Sequence, residues 1–176
     1  MSYFVRKISR SKWEVDGNGA VNADAITNCM KTNGNTLSFW RVDSETEISS
    51  AILALAAAND NLDKMDVVVI PEAVFQGLEI TIVETPGNTA CEKFAHTHRD
   101  LANLTFKELA LVADVLADKI RSGGTTRYTL GKLRTLLLSA IEEKHLDFNR
   151  LSDGIKKKLR PPPPSEPCPT CGAVKQ

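Results

Sequence analysis

Met65-Asp66-Val67-Val68-Val69-Ile70 is the stretch on which the fold turns. The run is short, continuous, rich in β-branched residues and not alternating. That pattern marks a strand covered on both faces, as in a central strand with helices above and below it. Pro71 comes next, where it suits the first turn of a short helix that Gly77 would stop, and Glu79 to Val83 then alternates as a further strand.

Upstream of the run, Tyr3 to Ile8 alternates aromatic or β-branched residues with basic ones, which predicts a first strand with one buried face. Gly17-Asn18-Gly19 reads as a turn, Asn22 suits the cap of a short helix over Ala23 to Met30, and Asn33-Gly34-Asn35 breaks the chain again. Thr36 to Val42 is a second strand with Phe39 and Trp40, which together with Trp13 belong in or beside the core. Ser44 opens an amphipathic helix that ends near Asn59. Glu45 and Glu47 lie in its first turn, where the helix dipole favours negative charge, and Ile48, Ile52, Leu55 and Ala56 share one face. Strands separated by helices predict an α/β fold, a small mixed and largely parallel sheet with flanking helices, over residues 1–87.

Downstream, the pattern from about Asn88 is helix alone. Thr105-Phe106-Lys107-Glu108 has the spacing of a capping box, and Phe106, Leu109, Ala113, Leu116 and Ile120 continue an apolar stripe until Gly123-Gly124. Thr129 to Lys144 repeats the design with Leu130, Leu133, Leu137, Ala140 and Ile141, and a last helix places Leu151, Ile155 and Leu159 together. Residues 88–160 thus form an α-helical region packed on the sheet or standing as a small subdomain. Residues 161–176, PPPPSEPCPTCGAVKQ, form an extended Pro-rich tail, because consecutive prolines cannot continue a helix.

The chain has 176 residues, 42% of them hydrophobic and 25% charged, with 22 basic residues against 22 acidic ones. This is the profile of a globular chain with no overall attraction to phosphate. The N-terminus, MSYFVRKISRSKWEVDG, lacks the apolar core of a signal peptide, and Ala51 to Ala58 is too short to cross a bilayer. With 4 cysteines, two of them isolated, a reducing, cytoplasmic setting is expected.

Cys168-Pro169-Thr170-Cys171-Gly172 is the most specific motif, since two thiolates at this spacing can grip one zinc ion from a tight turn. A closed site needs two further ligands, from a second chain in a dimer or from Cys91, His96 and His98. A reduced tail without metal and a redox pair are the alternatives. Gly87, Asn88 and Thr89, after a strand and before a helix, are candidate anion-binding donors, although a plain turn and cap, the preferred reading, explains the same residues. Cys91, His96 and Asp100, with Glu84 and His98 nearby, form the densest reactive group and the candidate catalytic set: a thiol nucleophile, or a histidine base oriented by Asp100. Arg127, Lys132 and Arg134, then Lys156, Lys157, Lys158 and Arg160, put positive charge beside short helices as a candidate nucleic-acid surface, though basic residues closing a helix also satisfy its dipole.

These features point to a non-enzymatic interaction or regulatory subunit that assembles with a partner protein or as a homodimer, with a tail that orders on zinc or on the partner. Size and style suggest an accessory protein of a bacterial or phage system, such as a defence or toxin–antitoxin complex. The alternatives are a nucleic-acid-binding regulator using the basic C-terminal helices and a small enzyme with its site around Glu84, Cys91, His96, His98 and Asp100.

Overall fold

The computed structural model of the chain describes residues 1–13, 22–30 and 32–160. The turn at Gly17-Asn18-Gly19 and the Pro-rich tail with Cys168 and Cys171 lie outside them. Six strands make one sheet: β1 (Tyr3–Ile8), β2 (Leu37–Val42), β3 (Met65–Pro71), β4 (Thr81–Glu84), β5 (His98–Ala102) and β6 (Thr125–Tyr128), in the order β4-β5-β2-β1-β3-β6. The helices are α1 (Ala23–Cys29), α2 (Ile48–Ala57), α3 (Glu72–Gly77), α4 (Glu92–Ala95), α5 (Phe106–Arg121), α6 (Leu130–Glu142) and α7 (Asp153–Leu159).

Every neighbouring pair of strands is antiparallel, which overturns the largely parallel sheet expected from the sequence. The valine run does form a strand buried on both faces, with Val67 and Val68 on opposite sides and both 0% exposed. Burial on both faces reports that helices cover the sheet, not which way its strands run. The helix between β2 and β3 does not join adjacent parallel strands either. β1 lies between them and pairs with both in the opposite direction. The expectation of helix alone after Asn88 also fails, because β5 and β6 join the sheet on its two sides.

Strand alternation divides the core. Val5, Trp40, Val42, Met65 and Val67 meet α2, α6 and α7 on one face. Phe4, Ile8, Leu37, Phe39, Val68 and Ile70 meet α1, α3 and α5 on the other. The second core centres on Phe4, Phe39 and Phe75, whose rings stand 5.4 to 5.8 Å apart, a separation at which aromatic pairs add to plain burial. The capping box of α5 forms as its spacing predicts: the Thr105 hydroxyl accepts from the Lys107 amide at 3.3 Å and the Glu108 carboxylate accepts from the Thr105 amide at 3.0 Å. Phe106 departs from the predicted stripe and is 89% exposed.

The sheet has one irregularity, between its two central strands. β1 pairs with β3 along its whole length, from Tyr3↔Pro71 to Ile8↔Asp66. With β2 it pairs only at Tyr3↔Val42, Phe4↔Arg41 and Val5↔Trp40. β2 nevertheless continues along β5, from Trp40↔His98 to Leu37↔Leu101. The sheet therefore opens after Val5 on β1 and before Trp40 on β2.

Candidate functional site

The opening forms a cleft of about 380 Å³ whose lining includes Arg6, Lys7, Asn28, Ser38, Trp40 and Leu55. Alternation places Arg6 on the face of Phe4 and Ile8, and its guanidinium sits 5.3 Å from the centre of the Phe39 ring. It donates to two carbonyls, that of Ser38 and that of Cys29, the latter at 2.6 Å, while its Nε is sealed from solvent without a partner. Among the described residues it forms no ion pair. Burial therefore dominates its titration and lowers its pKa to about 10, against the opposing pull of Cys29 and Asp100. Lys7 reaches out of the same cleft mouth to the side-chain oxygen of Asn59 at 3.0 Å.

On the other side of β2 a second polar group is fully knitted. The Ser38 hydroxyl donates to Asp100 Oδ1 and the Thr85 hydroxyl donates to Asp100 Oδ2, both at 2.8 Å. Thr85 has one hydroxyl proton and has given it to Asp100, so its oxygen accepts from His98 Nδ1, also at 2.8 Å. The Nε2 of His98 then carries the lone pair. The imidazole stands edge-on to Trp40, with ring centres 5.2 Å apart, and burial holds its pKa below the ordinary histidine value despite the nearby Asp100 charge. Gly87 lies over the same indole. A Cβ there would press into the Trp40 ring and come within 2.9 Å of His98 Cβ, so the loop after β4 can cross only as glycine.

A third region is a surface trough along α2. Two adjoining depressions of about 360 and 280 Å³ share Ser50, Lys93 and Phe94. Their floor carries Val42, Leu53, Phe94, Leu136 and Ala140, and their rim is charged. Most of that charge is matched. Arg41 meets Glu72 at 3.0 Å and Asp43 at 2.7 Å, and Arg99 meets Glu84 at 3.2 Å. Burial pulls the Arg41 pKa down, but the bonds and charges of Glu72 and Asp43 outweigh it and hold it above the ordinary value. Lys93 has no carboxylate partner among the described residues. It contacts His145 Nε2 at 3.2 Å and lies 5.7 Å from the Phe94 ring centre.

The residues singled out in the sequence are scattered among these surroundings. Cys91 is fully buried, its amide donates to the Thr89 hydroxyl and its Sγ to the His145 carbonyl at 3.5 Å, and burial raises its thiol pKa. Its partners are thus neither His96 nor Asp100. His96 lines the trough, and Asp100 joins His98 through Thr85, so the structure unites only part of the reactive group. Of the anion-binding candidates, the Gly87 amide donates to the Ala95 carbonyl, the Thr89 hydroxyl donates to the Ala54 carbonyl from a buried position, and Asn88 is exposed. Lys157, Lys158 and Arg160 are exposed at the end of α7, and Lys156 lies 3.6 Å from Asp153. Among the described residues no group of His, Cys, Asp and Glu is placed to hold a metal ion, and no helix is long and apolar enough to cross a membrane.

Arg6 is the residue that the sequence patterns did not single out. Its signal lies in strand parity: in Tyr3-Phe4-Val5-Arg6-Lys7-Ile8, Arg6 shares a face with two apolar core residues, where a charge requires a reason. Comparison with family models, with curated proteins and with solved structures found no match to the chain.

Proposed function

We propose that the chain is a regulatory interaction module that docks a segment of a partner protein in the trough between α2, the turn after α4 and α6. The observation that carries this reading is Lys93, the trough's cation without a carboxylate partner among the described residues, set over an apolar floor and beside Phe94. Apolar floors with polar rims are the anatomy of protein docking sites, and an unmatched lysine at the centre selects an acidic side chain next to an apolar one. The occupant is therefore an acidic, hydrophobic partner segment. The tail belongs to the same proposal: Cys168 and Cys171 take zinc when a second chain or the partner supplies the remaining ligands, a reading supported by their Cys-x-x-Cys-Gly spacing.

Quantitative co-purification from the native source, comparing wild type with Lys93→Glu and with Lys157→Glu/Lys158→Glu, tests the docking. A stoichiometric protein partner lost in Lys93→Glu and kept in the double variant supports it. Retention in Lys93→Glu removes it. Loss confined to the double variant, with binding that falls steeply with salt, would favour the nucleic-acid reading instead.

A further inference from the structure

The cleft between β1 and β2 has a chemistry unlike the trough. Two cations, Arg6 and Lys7, line it, and among the described residues no aspartate or glutamate does. Arg6 donates only to neutral carbonyls, its Nε has no partner, and no ion pair offsets its charge among the described residues. A guanidinium has five N–H groups; two go to the Ser38 and Cys29 carbonyls and Nε–H is sealed, so one N–H on each terminal nitrogen is left for an acceptor. Placing such a charge where solvent is partly excluded is costly unless an anion meets it, and the planar fork of arginine matches the oxygens of a carboxylate or phosphate. The remaining lining fits a ligand with more than a bare ion: the Asn28 side chain and the strand edges are polar, while Trp40 and Leu55 present apolar surface. The volume of about 380 Å³ lies in the range of small-molecule sites.

We propose that this opening in the sheet is a binding site for a small organic oxyanion, whose anionic group is held by Arg6 and Lys7 and whose apolar or aromatic body lies against Trp40 and Leu55. The site arises from the split itself. Where the ladder between β1 and β2 stops, Arg6 bonds the Ser38 carbonyl across the gap. Asp100, the carboxylate nearest in effect, is turned to Ser38 and Thr85, which leaves the guanidinium for a ligand.

The probes are inorganic phosphate and acetate, titrated against sodium chloride at equal ionic strength, with the Arg6 Nε–H and Trp40 indole signals followed by NMR. Saturable shifts of both signals with phosphate assign a phosphate-bearing ligand, and with acetate alone a carboxylate-bearing one. Lys7 is exposed and its replacement spares the fold, so Lys7→Met should weaken binding about tenfold, the scale of one charge-assisted hydrogen bond. Arg6→Met should abolish it. No saturable shift with either anion, or shifts that match chloride, would overturn the proposal, as would binding of equal strength in Lys7→Met.

Discussion

The two ends of the β1–β2 ladder place an arginine each, and they treat it in opposite ways. At the closed end Arg41, opposite Phe4, is held by Glu72, Asp43 and the Ser2 hydroxyl, and its protonated form is favoured. At the open end Arg6, on the adjacent strand, has carbonyls and an aromatic face, and its protonated form is disfavoured. The difference teaches that a charge in a sheet stabilises through its partners and not through its burial. Arg41 is a fastener. Arg6 is a charge held ready.

The largest effect should come from removing what the open end rests on. Phe39→Ala takes away the ring beneath Arg6 and one member of the Phe4, Phe39, Phe75 cluster, and should cost about 3–5 kcal/mol in urea unfolding. Gly87→Ala should cost about 1–3 kcal/mol, because the new methyl strikes Trp40, the last residue of the closed ladder. Amide exchange at Val5 and Trp40 should quicken in that variant if the split advances by one pair.

The arginines themselves give the sharpest contrast. Arg41→Met removes bonds to two carboxylates and strands the half-buried Glu72, so a loss of about 1–3 kcal/mol is expected in thermal unfolding. Arg6→Met loses two bonds to carbonyls but also sheds a desolvated charge, and its effect should stay within about 1 kcal/mol. Equal losses in the two variants would break the comparison.

The smallest effect is a pH dependence. The His98 pKa is lowered in the fold, so the unfolded chain takes up the proton first as pH falls. The stability linked to neutral His98 is present above about pH 6.5 and is lost on acidification below it. His98→Gln should flatten the fall in Tm between pH 7.5 and pH 5.5 relative to wild type, by about a degree or two on the scale of a sub-kcal/mol contribution.

The elements nearest the core were legible because burial writes itself into the sequence. β1, β2, β3, the capping box at Thr105 and Glu108, and the stripe of α7 all stand where periodicity predicts them. Strand direction was not, since Val67 and Val68 are buried alike whether neighbours run parallel or antiparallel. β5 and β6 were missed because their polar residues find partners across the sheet. Arg99 meets Glu84 on β4, and Arg127 clasps Asp66 on β3 at 2.7 and 2.8 Å. The lone acid in the valine run was itself the sign that a basic strand lay beside it. The reactive group from Cys91 to Asp100 looked like a site because it is dense in sequence. In space Cys91 turns into the core and His96 onto the trough, and only His98 and Asp100, two apart on β5, meet through Thr85.

The chain's path across the opening has its own consequence. Strands β4, β5 and β2 lie to one side of it, and β1, β3 and β6 to the other. Consecutive strands lie on opposite sides of it in going from β1 to β2, from β2 to β3, from β3 to β4 and again from β5 to β6. It is a seam sewn by the thread of the polypeptide itself. A single cut in any one of those stitches leaves the other three tying the two halves of the sheet together.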